Sequence, residues 1–165
     1  NQLGVSRIPI REALHQLEFE CLIERLDNRH TRVLGVNEKT MVPRFRFIAA
    51  LESEAAIYVA LQKDNSVNIR KLKDCASAKP TPENELLFHA NLFKMSGDRF
   101  INQLYLRMGA PVLEVLLKTR QTFADDTSSQ LLKIVYEIEK GNEFCIRHAV
   151  ESYYQALQLE MRFET

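Results

Sequence analysis

Apolar residues first recur at Ile10, Leu14 and Leu17, a spacing that predicts a short amphipathic helix with that side buried. Arg7, Arg11 and His15 recur at helical spacing on another side, which faces outward. Leu3-Gly4-Val5 reads as a tight turn before this helix, Ser6 is placed to cap it, and Pro9 falls in its first turn, where a missing N–H costs nothing. The period then shortens: Cys21 to Leu26 partly alternates, Asp27-Asn28-Arg29-His30 are turn residues, and Thr31 to Leu34 is β-prone, which together predict a hairpin with a basic tip. From Val36 onward the pattern is helical throughout. Asn37 caps a short turn, and Pro43 fits the start of a helix to about Gln62, with Phe45, Ala49, Ala56 and Val59 in its apolar stripe. A helix from about Ser66 to Ala76 follows; Thr81-Pro82 starts the next, and Gly97 stops it. The segment from Arg99 to Thr122 is interrupted or kinked at Gly109-Ala110-Pro111. Asp126 or Thr127 opens a helix that ends at Gly141, and Asn142 opens the last, which runs to about Phe163.

Composition narrows the class. A chain of 165 residues with 45 % hydrophobic and 27 % charged residues reads as soluble and globular, divided into two unequal parts, with no apolar run of membrane-spanning length. The formal net charge is zero, so any contact with nucleic acid has to come from a local basic patch. Cys21, Cys75 and Cys145 are odd in number and far apart, which suggests reduced, buried thiols and a cytoplasmic protein. The chain opens at Asn1 with neither methionine nor signal peptide and is expected to be a fragment of something longer.

A turn followed by a helix whose N-terminal side chains point outward is the geometry by which a recognition helix enters a major groove, with arginine the commonest reader of guanine. The hairpin behind it would then bring Arg29, His30 and Arg32 near phosphates or a minor groove. Taken alone, the same residues also describe an amphipathic surface helix with solvated arginines and a hairpin with a solvated tip. The longer string decides between these. Leu-Gly-Val-Ser-Arg-x-Pro-x-Arg-Glu-Ala-Leu-x-x-Leu, continuing through Glu20 to Arg25 and on to Asn28-Arg29-x-x-Arg32-Val33, resembles the C-terminal half of the winged helix-turn-helix of GntR-family transcription regulators. The resemblance implies that Arg7 and Arg11 read the groove, that Ser6 caps the helix and meets phosphate, and that Asn28 to Arg32 form the wing; His15 lies on the same outward face. Two positions depart from the family pattern. Cys21 replaces the usual glycine at the helix-to-strand corner, where it strains the backbone if a positive φ is needed, and His30 replaces a small residue at the wing tip. The first helix and most of the second of such a module are not in the sequence, so DNA binding by this piece unaided is not expected.

The helical remainder resembles the ligand domain of the FadR-type subfamily, through Leu51-Glu52, Phe88-His89, Ser96-Gly97-Asp98 and Gly141-Asn142. The fold class expected is thus mainly α: a partial winged helix-turn-helix over residues 1–36, then an all-α antiparallel bundle of six or seven helices over residues 37–165. Many members of that subfamily hold a divalent metal with a carboxylate, a histidine four residues later and two further histidines. The matching positions here are Glu85, His89, about Leu131 and Tyr153, of which only His89 is intact, so the resemblance implies a lost metal site and no cofactor. Glu85 and His89 alternatively form a pair bonded to each other. Arg44 lies one turn before Ile48, the position where the family places an effector-binding arginine, and Tyr153 stands where an inward histidine is usual. Glu85, His89, Tyr153 and Arg44 are therefore the candidate effector-binding residues.

These readings converge on a ligand-responsive transcription regulator, more often a repressor by analogy, that binds a palindromic double-stranded operator as a homodimer and responds to a small-molecule effector of unknown identity. A helical metal-binding or enzymatic module built on Glu85 and His89 is the alternative. It lacks a third polar partner at usable spacing and a nucleophile with an evident base, so no enzyme is expected. A degenerate regulator without effector is a further alternative.

Overall fold

The computed structural model describes residues 6–35, 37–120 and 126–161. Helix α1 (Arg7–Phe19) leads into strands β1 (Ile23–Arg25) and β2 (Thr31–Val33), paired antiparallel with Ile23 opposite Val33 and Arg25 opposite Thr31. Seven α-helices follow among the described residues: α2 (Glu38–Ala60), α3 (Ser66–Ala76), α4 (Pro82–Met95), α5 (Arg99–Leu104), α6 (Ala110–Thr119), α7 (Thr127–Lys140) and α8 (Glu143–Glu160). A π-helical segment, Tyr105–Gly109, joins α5 to α6. The chain thus adopts the expected mainly-α fold of a helix and hairpin followed by an all-helical bundle. The expected turn at Leu3-Gly4-Val5, the boundary at Val36 and the ends of helices near Thr122 and Phe163 lie outside the described residues.

Local chemistry sets most of the helix ends. Thr81 accepts a hydrogen bond from the Asn84 amide at 3.2 Å with Pro82 in the first turn, and Asn142 accepts one from the Cys145 amide at 3.2 Å. Gly141 closes α7 in the left-handed conformation. Pro43 does not start a helix. Asn37 and Thr40 form a reciprocal capping box that begins α2 at Glu38, and Pro43 lies inside, where it leaves one backbone bond of the early helix unmade. Ser6 occupies the N-cap position of α1, but its side chain makes no capping bond.

The side of α1 expected to be buried is not. Ile10 and Leu17 are each 37 % exposed and Leu14 is half-buried, because no described element covers that face. The cysteines also differ from expectation: Cys21 is exposed, and Cys75 and Cys145 are half-buried, all three free. Cys21 stands at a surface corner where α1 ends in a Schellman turn: the Leu22 amide donates to the Leu17 carbonyl at 2.9 Å and the Cys21 amide to the Glu18 carbonyl at 3.0 Å. Its φ of 55° is the positive value that the replaced glycine would have favoured.

Within the bundle α2 is central, packing most extensively on α8 and also against α4 and α7. Phe45, Ile48, Ala55, Ala56 and Val59 of α2 are buried with Phe88, Leu92 and Phe93 of α4 and with Ile146, Val150 and Leu157 of α8. The interruption expected near Gly109 is the π-helical segment, in which the buried Tyr105 ring stacks on Phe93 with centroids 4.0 Å apart.

Candidate functional site

Two constellations carry the chemistry. The first is a basic cleft of about 460 Å³ between α1 and the hairpin, lined by Arg7, Ile10, Arg11, Leu14, Arg25, Leu26, Arg29 and Thr31. Arg7, Arg11 and His15 are all exposed, but Arg7 and Arg11 line this cleft together with Ile10 and Leu14, so the two sides read from the sequence meet there, while His15 Nδ1 lies 3.8 Å from Glu18. Arg25 was not singled out from the sequence. Its Nε pairs with Glu18 at 3.1 Å, fixing the hairpin to α1, and its place opposite Thr31 in the strand register is what brings both to the cleft. Arg32, one residue further along β2, pairs instead with Glu24 and lines a separate cleft with Val33, Lys39 and Thr40, as the alternation of a strand requires.

The hairpin loop explains the position of Arg29. The Arg29 amide donates to the Leu26 carbonyl and the Leu26 amide to the His30 carbonyl, each at 2.9 Å, while Asn28 Oδ1 accepts from the His30 amide at 3.0 Å. This is a turn closed by a residue in the left-handed region, and that residue is Arg29 at φ 66°. A side chain other than glycine or asparagine costs about 1–2 kcal/mol in that region. His30 stands next to the strained residue rather than at it.

The second constellation is a buried polar cluster where α2, α4 and α8 meet. Glu85, His89 and Tyr153, all named from the sequence, are brought together, but Glu85 and His89 do not bond to each other. The Tyr153 hydroxyl bridges them, 2.5 Å from Glu85 Oε1 and 2.9 Å from His89 Nε2. The other ring nitrogen of His89 lies 2.8 Å from Glu52 Oε2, which also accepts from the Tyr154 hydroxyl at 2.5 Å. Arg120, beyond the C-terminus of α6, forks onto Glu85 at 2.6 and 3.3 Å and reaches Glu160 at 3.2 Å. Glu52 and His89 are wholly buried and Glu85 is 2 % exposed.

The cluster satisfies its own buried groups: the two ring nitrogens of His89 meet Glu52 and the Tyr153 hydroxyl, and the Arg120 guanidinium meets Glu85, as buried polar groups require. Burial, reinforced by the adjacent carboxylates, pushes the phenols of Tyr153 and Tyr154 well above the ordinary tyrosine range. Burial also raises the Glu160 carboxyl, against the opposing pull of Arg120.

Glu52, Arg120, Tyr154 and Glu160 were not among the site residues expected from the sequence, although Leu51-Glu52 carries part of the family resemblance. The available signal was a charged residue on an apolar stripe: Glu52 falls between Ile48 and Ala56 at the same helical spacing, and Arg120 follows Leu116 and Leu117. Arg44 does not join the cluster. Its guanidinium donates to the Cys21 carbonyl and approaches Met41 Sδ at 3.5 Å.

The residues do not fit a divalent metal. Among the described residues no group of three or more His, Cys, Asp or Glu side chains is placed to hold one, and His89 Nε2 meets the Tyr153 hydroxyl. Among them, too, no helix is long and apolar enough to cross a membrane.

No family model matches the sequence, and no curated protein matches it either. Solved structures do. The Streptococcus agalactiae GntR matches with a TM-score of 0.59 and 17 % identity, over 96 % of this chain and 84 % of that one. The E. coli McbR/YncC matches with a TM-score of 0.61 and 18 % identity, over 94 % and 79 %. A transcriptional regulator, GntR family member, from Pseudomonas syringae pv. tomato str. DC3000 matches with a TM-score of 0.59 and 19 % identity, over 94 % and 69 %. Nearly the whole chain, hairpin and bundle together, thus shares its fold with solved regulators of the GntR type.

Proposed function

We propose that the protein is a DNA-binding transcription regulator of the GntR type, FadR-like in its helical part, acting as a homodimer on a palindromic operator. The observation that carries this reading is the basic cleft, in which arginines from α1 and from the hairpin loop face one space in a molecule of zero net charge. The fold shared with solved regulators supports it. Arg7, Arg11 and His15 are the base-reading face; Ser6, Arg29 and His30 meet the phosphate backbone beside it, and Arg32 meets it from the other face of the hairpin. The bundle serves as the sensor and dimerisation domain, repressing or releasing the operator in response to a small molecule. Its cluster of Glu85, His89 and Tyr153 is sealed from solvent and mutually bonded, which suits a brace that transmits a change better than a place where a substrate arrives.

The test is operator selection from random duplexes followed by titration, with any preceding segment of the natural chain included. Arg7→Ala and Arg11→Ala should each lose about 1–3 kcal/mol of specific affinity and relax the preference at one base step. Operator affinity unchanged in both variants would refute the assignment.

A further inference from the structure

Four arginines line the basic cleft, and one of them differs from the rest. Among the described residues Arg7, Arg11 and Arg29 make no ion pair, whereas Arg25 Nε lies 3.1 Å from Glu18 Oε2. Glu18 thus puts a negative charge beside a cleft that the reading above assigns to a polyanion. For attraction alone such a charge is unfavourable, since it cancels part of the local positive field. Arg25 is exposed and Glu18 half-buried, so the pair adds little to stability either.

Its value is geometric. The strands have three residues each, and a two-stranded hairpin of that size does not hold its shape alone. At the corner the Leu22 amide bonds back to the Leu17 carbonyl at 2.9 Å, and Ile23 is buried on the same side of β1 as Arg25. Among the described residues the Glu18 to Arg25 pair is the one ion pair between α1 and the hairpin, and it lies past the corner, where it opposes rotation of the hairpin away from α1.

The choice of arginine follows. With Nε on Glu18, its two terminal nitrogens have no partner among the described residues and keep four N–H donors. We propose that Arg25 is the positioning residue of the DNA interface: held on Glu18 through Nε, it fixes the angle between α1 and the hairpin and turns its terminal nitrogens to a phosphate. The base contacts of α1 and the backbone contacts of the hairpin are then made together, and Glu18 contributes to sequence preference while opposing attraction. This inference rests on the DNA-binding reading.

The selected operator and a scrambled duplex of equal length are titrated over a salt series with the wild type, Glu18→Gln, Arg25→Gln and Arg25→Lys, any preceding segment of the natural chain included. Unfolding midpoints confirm that each variant is folded. Glu18→Gln should bind the scrambled duplex as well as the wild type or better, having lost a negative charge, yet bind the operator about two- to fivefold less tightly per chain, as the loss of an exposed pair allows. Arg25→Gln should weaken both duplexes and lower the dependence of log K on log salt by about 1 per chain. Arg25→Lys should keep that dependence and lose operator preference, because an ammonium cannot hold a carboxylate and a phosphate in one planar fork. Equal tightening on both duplexes in Glu18→Gln, full operator preference in Arg25→Lys, or an unchanged salt dependence in Arg25→Gln overturns the proposal and leaves the regulator standing. A wild type that binds no duplex overturns both.

Discussion

Arg29 shows how a single residue can sit against its own backbone preference. The loop that closes the hairpin needs a positive φ at this position, and glycine would supply it without strain. An arginine there is understandable if its side chain is wanted beside Arg7 and Arg11, as the shared cleft suggests. Stability and function should therefore move in opposite directions in Arg29→Gly. The variant should gain about 1 kcal/mol in urea unfolding, since the left-handed penalty is removed. It should also weaken binding to duplexes of any sequence and lower the dependence of log K on log salt by about 1 per chain, the mark of a lost phosphate contact. Greater stability with undiminished DNA affinity would show that the arginine has no part in the interface. The same reasoning separates Cys21 from Arg29: both have positive φ, but Cys21 does not line the basic cleft, and its place is the corner where α1 turns into the hairpin.

At the scale of elements, helix ends were legible in the sequence and contacts between helices were not. The Thr81-Pro82 start, the Gly141 stop and the Asn142 cap are decided by chemistry within a few residues of the end itself. Pro43 misled because a capping box just upstream, Asn37 with Thr40, outweighs one missing backbone bond. The polar cluster was half legible. Glu85, His89 and Tyr153 were marked by the family resemblance, as the positions matching its metal ligands, whereas the bonds of Glu52, Arg120 and Tyr154 form only when α2, α4, α6 and α8 come together across long sequence separations. The π-helical segment makes a sharp test of that packing. A Cβ on Gly109 would lie 2.9 Å from Tyr105 Cδ2, and the Tyr105 ring cannot retreat because it is buried against Phe93. Gly109→Ala should cost about 1–3 kcal/mol of unfolding free energy, as overpacking does; a neutral result would mean that the segment relaxes to a regular helix. Alkaline pH tests the cluster. Tyr105, Tyr153 and Tyr154 all have raised phenol pKa values in the folded state, chiefly through burial. Unfolded tyrosines begin to lose protons near their ordinary value of 10.0 while the native ones hold theirs, so the native state binds more protons and stability falls as pH rises past that point. Each such tyrosine adds about 1.4 kcal/mol per pH unit to the fall. Urea midpoints should decline steeply above about pH 10 and less steeply in Tyr153→Phe, which lacks one of the three groups. A flat profile would place these phenols in contact with solvent.

The whole molecule has equal numbers of basic and acidic side chains, 22 of each, so it has no global field to draw it to DNA. In the regulator proposed above, affinity has to come from placing a small basic cleft accurately, and one α1 with one hairpin would cover too few base pairs to specify a site. A second copy related by a twofold axis doubles the contact and matches a palindrome, with half-site centres about one helical turn, roughly 34–36 Å, apart or at a multiple of that spacing. This makes spacing, rather than base composition, the decisive variable. Starting from a selected operator, insertion of about five base pairs between the half-sites rotates one of them to the opposite face of the duplex without altering any contacted base. If the bundle holds the proposed dimer, the dimer cannot follow that rotation, so affinity should fall to that of a single half-site, and insertion of a full turn should restore part of it. Sedimentation should show two chains per duplex on the intact operator. If the half-turn insertion leaves affinity unchanged, the two clefts act independently, and the bundle does not set the distance between them.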